Sequence, residues 1–203
     1  MISLAGRDIA HSAGKFALTG LGLGLLIGVT LTMAGVYRGM VDDAHALLNN
    51  SNADLWVVQK DTQGPYAEAS SIKEDAVRSV RGMPGVSRAS NVTYFTMQVQ
   101  APSGTDVRAM VVGIEEGQPG EPGYLLAGRQ ITRAHYEAVA DIKSGFALGD
   151  RIQIRRHTFT VVGITQRMVS SGGDPMVFVG IKDAQDAQFL KDNDAILNDR
   201  ARN

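Results

Sequence analysis

Cysteine is absent from the 203-residue chain. That excludes disulfide staples, thiolate catalysis and cysteine-ligated zinc. It suits an oxidising compartment, where a stray thiol is a liability, without naming one. An excess of charge of either sign is also missing: 20 Lys+Arg stand against 21 Asp+Glu, for a net charge of −1. A dedicated nucleic-acid binder carries a basic excess or stripe, so nucleic acid is not an expected partner. The signatures of common chemistry are missing as well. Gly14-Lys15 is followed by Phe16 and lacks the upstream glycine of a phosphate-binding P-loop. Neither an HExxH zinc motif nor a GxSxG nucleophile elbow occurs. His11, His45, His135 and His157 are scattered, with no carboxylates at ligand spacing. No catalytic residue, cofactor or metal ligand is assigned, and the chain does not read as an enzyme. No repeat of 20–50 residues is present either.

What is present is unevenly distributed. Between Lys15 and Arg38 lie 22 residues without charge or proline, Phe16 to Tyr37. At 1.5 Å per residue, about 20 helical residues cross a hydrocarbon core of ~30 Å. The segment is therefore expected to be a transmembrane helix, assigned to residues 16–38. A cleaved signal peptide has a shorter apolar region, and a buried core helix is rarely apolar on every side over this length. Thr19, Thr30 and Thr32 can bond back to carbonyls of the preceding turn, which makes their hydroxyls tolerable in lipid. Arg7, Lys15 and the amino terminus precede the span and Arg38 follows it. The positive-inside rule then places residues 1–15 in the cytoplasm and the rest of the chain outside. Residues 2–14 read either as a short surface amphipathic helix or as a frayed terminus. Gly20, Gly24 and Gly28 fall at i, i+4 and i+8, on one helix face. Small residues so spaced let a second membrane helix approach closely, so these three are the candidate helix-packing site.

Beyond the span, residues 39–52 turn polar and read as a linker. A mixed domain is expected over residues 53–192, long enough to bury its own core. Asp54–Gln59 is β-branched and aromatic, a strand candidate containing Trp56, which reads as a core or interface anchor. Ser71–Val80 reads as an amphipathic helix stopped by Gly82, Pro84 and Gly85. Val86–Gln100 and Asp106–Ile114 form a hairpin pattern around Pro102-Ser103-Gly104. A helix is expected over Thr132–Ile142. Arg151–Arg155 and Thr158–Ile164 form a second hairpin, with Arg155, Arg156 and His157 at its solvated turn. Met176–Ile181 is a continuous apolar run, a buried strand. Asp183–Lys191 reads as a last helix with Asp183 as N-cap. Asp141, Asp150 and Asp174 sit at element ends, where capping and turn roles explain them. The loops Gln118–Tyr124 and Gln166–Pro175 are candidates for partner contact. Residues 193–203 are a polar tail. The fold class is α+β: one N-terminal transmembrane helix and a mixed α/β domain.

The order of these pieces carries a resemblance. The N-terminal span is followed by DLWVV, by a helix ending MPGV, and by a strand pair reaching VVGI at Val111–Ile114. Then come Leu148-Gly149-Asp150, Phe159 to Ile164, Asp174 to Val179 and Asp183-Ala184-Gln185. This series resembles the permease subunits of MacB/FtsX-type ABC transporters, in particular the DevC-like members, over nearly the whole chain. The resemblance implies a MacB-like extracytoplasmic core domain in the cell inner (plasma) membrane. It implies self-association as a dimer, a separate ATP-binding subunit on the cytoplasmic side, and a periplasmic adaptor. It further implies export or mechanotransmission, in which ATP-driven closure is passed to the outer domain. Such permeases carry three more membrane helices, and no apolar segment of membrane length follows Tyr37. The chain is thus expected to be a portion of a longer permease or a short product unable to transport alone. The alternative is a membrane-tethered extracytoplasmic binding or scaffold module.

Overall fold

The computed structural model describes residues 11–66, 68 and 70–189. Residues 2–14, read as a surface helix or a frayed terminus, lie largely outside these residues, and the polar tail 193–203 lies wholly outside them. The chain divides into two compact units, Met1–Asp42 and Asp43–Asn203.

The first unit is the body of one helix, α1 (Ala13–Asn49), whose last turns belong to the second unit. From Ala13 to Asp42 every residue is exposed, and large apolar side chains such as Leu18, Leu25 and Leu31 point outward. A helix apolar all round and buried nowhere is long and apolar enough to cross a membrane. Thr19, Thr30 and Thr32 each donate to the carbonyl four residues back, at 2.9, 2.8 and 2.8 Å. The helix does not stop where the sequence turns polar: residues 40–49 continue it. Polarity there marks the end of the apolar run, not of the helix.

The second unit is built on seven strands: β1 (Thr93–Gln100), β2 (Asp106–Ile114), β3 (Ala127–Gly128), β4 (Glu137–Asp141), β5 (Arg151–Ile154), β6 (His157–Thr165) and β7 (Met176–Gly180). Two short helices join them, α2 (Ala76–Arg81) and α3 (Ile181–Phe189). The strand order is β3-β6-β4-β7-β2-β1-β5, and β5 also pairs with β6. The six strands β6, β4, β7, β2, β1 and β5 therefore form a ring. Its seam between β1 and β5 is held by a single residue pair, Gln100–Gln153. Both expected hairpins are present, β1–β2 and β5–β6, with Arg155 at φ 56° in the second turn.

The central strands are apolar at successive residues because both faces are covered. Val111, Val177, Val179, Ala138 and Ala140 pack on one side with Ile152, Phe159 and Ala184 of α3. Met110, Val112, Met176, Phe178 and Val139 pack on the other, with Leu47, Tyr66 and Met168. The glycines of the two VVGI motifs permit close approach. A methyl group on Gly113 would lie 2.4 Å from Ala184 Cβ, and one on Gly163 would lie 2.4 Å from the Arg129 carbonyl oxygen.

Three expectations fail for physical reasons. Asp54–Gln59 has no partner strand. Thr132–Ile142 is not a helix: Glu137–Asp141 is strand β4, buried at every position, followed by a 3₁₀ turn at Ile142–Ser144. Glu137 and Asp141, the ends of β4, are both buried, and tertiary hydrogen bonds satisfy their carboxylates. Asp183 is not an N-cap, because α3 already begins at Ile181. It sits in the first turn, where a negative charge is favourable to the helix dipole. Its carboxylate accepts from Tyr136 N at 2.9 Å and faces His135 Nδ1 at 2.6 Å.

Candidate functional site: the helix–domain junction

The end of α1 is fixed within the second unit. Asp43, Ala46, Leu47 and Asn50 recur at i, i+3, i+4 and i+7, and these are the less exposed positions of the last turns. Leu47 is 7 % exposed and belongs to the Met110–Phe178 core. Its neighbour Leu48 is 44 % exposed. Asn50 N continues the helical pattern to Ala46 O at 2.9 Å. The Asn50 carbonyl accepts from Gly123 N at 2.7 Å, and the Ser51 carbonyl accepts from Gly120 N at 2.8 Å. Ser51 is fully buried, and its hydroxyl donates to Leu48 O at 2.6 Å. Helices leave their last carbonyls without intrahelical partners, and here the hydroxyl of Ser51 takes one of them.

The receiving loop is Gly117 to Tyr124. Gly120 adopts φ 104°, a conformation glycine reaches without cost. Buried Thr165, at the end of β6, donates to Tyr124 O at 2.8 Å and accepts from Asn50 Nδ2 at 3.5 Å. Asp43 faces Arg167 at 3.7 Å. Behind them Asp141 is fully buried, accepting from Lys143 N at 2.8 Å and Met168 N at 2.7 Å. Burial raises its pKa, against the lowering effect of those two bonds. The junction thus ties the helix end to the loop after β2 and to the segment after β6.

A second ionic group fixes the turn before β4. Glu137 accepts from Arg129 Nη1 at 2.8 Å, from Arg129 Nη2, and from Thr132 N at 3.0 Å and Arg133 N at 3.2 Å. The Arg129 hydrogen bonds hold its carboxyl down at about 2, with burial opposing and the two backbone donors assisting. This is a structural clamp.

The residues singled out in the sequence divide clearly. Gly20, Gly24 and Gly28 lie in α1, and a methyl group on any of them meets nothing within 4 Å. His135 and His157 face Asp183 and Asp186, at 2.6 and 3.3 Å. Among the described residues no group of three or more His, Asp or Glu is placed to hold a metal ion. Asp150 closes its turn by accepting from Ala147 N at 2.8 Å, and Asp174 pairs with Arg108 at 3.1 Å. In the loop Gln118–Tyr124, a candidate for partner contact, the N–H groups of Gly120 and Gly123 bond the carbonyls of Ser51 and Asn50. The sequence reading missed Leu47 and Ser51, whose only signal was an apolar residue and a small one in a polar stretch.

One helix long and apolar enough to cross a membrane, followed by a mixed α/β unit, is the class of arrangement the chain presents. The chain belongs to the MacB-like periplasmic core domain family, which matches residues 16–198. A protein of Mycobacterium tuberculosis described as an uncharacterized ABC transporter permease is 26 % identical over 180 residues, 88 % of this chain and 50 % of that protein. Another so described, from Mycobacterium bovis, is 24 % identical over 190 residues, 93 % of this chain and 53 % of that one. The chain therefore spans about half the length of these relatives. Among solved structures it is similar to the extracellular domain of the noncanonic ABC-type transporter YknZ from Gram-positive bacteria. That match has 13 % identity and a TM-score of 0.46, over 67 % of this chain and 75 % of that one. It is also similar to the periplasmic region of MacB from Actinobacillus actinomycetemcomitans, with 15 % identity and a TM-score of 0.43, over 55 % and 56 %.

Proposed function

We propose that this chain is the N-terminal portion of an ABC-type permease that passes work from a separate ATP-binding subunit to an extracytoplasmic domain. Its membrane is the cell inner membrane, with residues 1–15 in the cytoplasm, residues 16–38 spanning, and the domain of residues 53–192 outside. Its partners are that ATPase, reached through membrane helices beyond this sequence, a second copy of itself, and a periplasmic adaptor. The observation that carries the reading is the junction. A passive tether works with a flexible linker, whereas Leu47, Asn50 and Ser51 lock the helix end into the domain. A shift or rotation of the last turn must then displace the Gly117–Tyr124 loop and the end of β6. Packed elements respond in this way because they are not continuously deformable.

Two tests bear on it. In the gene, three further apolar stretches of about 20 residues in frame after Asn203 support the permease, and a stop codon there counts against it. In cells, single cysteines at Ser3 and Asp43 react cleanly, since no native cysteine competes. A membrane-impermeant maleimide is expected to label Asp43→Cys and spare Ser3→Cys; the reverse pattern would sink the orientation.

A further inference from the structure

The segment after the junction, Asn52 to Tyr66, has no regular secondary structure and lies over the core face that holds Leu47. Its sequence is strand-like, yet among the described residues no backbone hydrogen bond joins it to the sheet. Its grip comes from side chains. Trp56 packs on that face and Tyr66 is buried in it, the two rings meeting edge-on at 5.3 Å. Tyr66 in turn packs on Tyr94 at 5.1 Å.

That grip is held at a cost. Tyr66, 3 % exposed, sits at φ 62°, a left-handed conformation that a bulky aromatic residue rarely adopts. The Tyr66 hydroxyl and the Trp56 Nε1 are both buried with no hydrogen-bond partner in the protein. The surface beneath is adaptable. Met110 and Met176 are register partners, Met168 O accepts from Met176 N at 2.9 Å, and all three side chains belong to this core. Unbranched thioethers repack easily. Finally, the segment is apolar on both faces: Trp56 and Val58 are half-buried, while Leu55 and Val57, alternating with them, are 85 % and 57 % exposed. With side chains alternating in direction and no backbone bond among the described residues to hold the segment in place, a slip of one residue exchanges one apolar set for the other.

We propose that residues 52–66 form a two-state strap. In one state Trp56 and Tyr66 cover the methionine face. In the other the strap slips by one residue and Leu55 and Val57 take the buried side. Asn52 at φ 55° and Gly64 at φ 117° are its hinges. The strap starts one residue beyond the buried Ser51, so the helix end is its natural trigger. That last point rests on the permease reading; the two-state behaviour does not.

The test uses the full chain in lipid nanodiscs with no ATPase present, so failure of transport coupling cannot mimic failure of the strap. Trp56 is the only tryptophan, and it lies on the strap. Acrylamide quenching of Trp56 fluorescence reports its opening, since among the described residues the amides of residues 53–58 make no hydrogen bond whose breaking exchange could time. Trp56 is expected to be quenched by a route insensitive to low denaturant, while the amides of Val111 and Val177 show the sheet intact. Tyr66→Phe removes the unpartnered hydroxyl and should slow strap opening about 5-fold. Leu55→Ser should do so about 10-fold, because it penalises the state in which that side chain is buried. Trp56 quenching that appears only when the sheet unfolds overturns the proposal. So does Leu55→Ser with wild-type quenching, the result expected of an exposed residue in a single state.

Discussion

Truncating Leu47 to alanine tests whether α1 ends inside the domain. The side chain is 7 % exposed and packs with Met110, Met168, Met176 and Phe178. Buried Leu→Ala changes cost about 2–5 kcal/mol, through lost transfer energy plus the cavity left behind. Leu47 sits beside adaptable methionines that can partly fill the gap, so the lower half of that range applies, about 2–3 kcal/mol. For a unit of this size each kcal/mol moves Tm by roughly 2–4 °C, giving a drop of about 5–10 °C. Leu48→Ala is the internal control. It has the same chemistry one position along the helix, but at 44 % exposure it should cost no more than about 0.5 kcal/mol. Unfolding followed by Trp56 fluorescence reads the domain directly, because Trp56 shares the core with Leu47. Equal effects of the two variants, or none from Leu47→Ala, would refute a pinned junction and restore a solvated linker.

Three further outcomes are expected. Gly163→Ala drives a methyl group toward the Arg129 carbonyl oxygen, backbone that cannot swing aside; denaturant unfolding should show a loss of about 3 kcal/mol, and an unchanged midpoint would contradict the close approach. Glu137 is held at about 2, below its ordinary 4.5, so its stabilisation is complete above pH 4.5 and lost as pH falls through 2. Arg129 is 47 % exposed and screened by water, so about 1–2 kcal/mol is expected; the stability gap between wild type and Glu137→Gln should narrow from pH 5 to pH 2.5, and a constant gap would remove the clamp. Gly24→Leu should weaken association of the membrane helix in lipid while leaving the Tm of the domain unchanged, and undiminished crosslinking would discard the Gly20/Gly24/Gly28 face.

Where sequence and structure agree, local pattern and tertiary environment ask for the same thing. The β1–β2 and β5–β6 hairpins have turn residues between strand-like runs, and Met176–Gly180 is apolar throughout because both its faces are covered. Where they part, the environment decides. The helix expected over Thr132–Ile142 carries Glu137 and Asp141, and both are tolerable in a buried strand because Arg129 and the N–H groups of Thr132 and Arg133 bond Glu137 while those of Lys143 and Met168 bond Asp141. Asp54–Gln59 has strand composition but no partner, and composition cannot report whether an edge is available. The junction was the least legible part. Asn50-Ser51 is as polar as any linker, and its burial depends on a glycine loop some 70 residues later, a separation no local pattern spans.

The central claim is that ATP-driven change reaches this domain through α1. The permease proposed above, purified with the proposed ATP-binding subunit and carrying a spin label on Ser103→Cys in the β1–β2 turn, allows the distance between two copies to be measured by pulsed EPR. The account predicts a distance distribution that shifts on adding ATP, and a shift that diminishes in Leu47→Ala. An identical distribution with and without ATP, or no measurable pair at all, would contradict it.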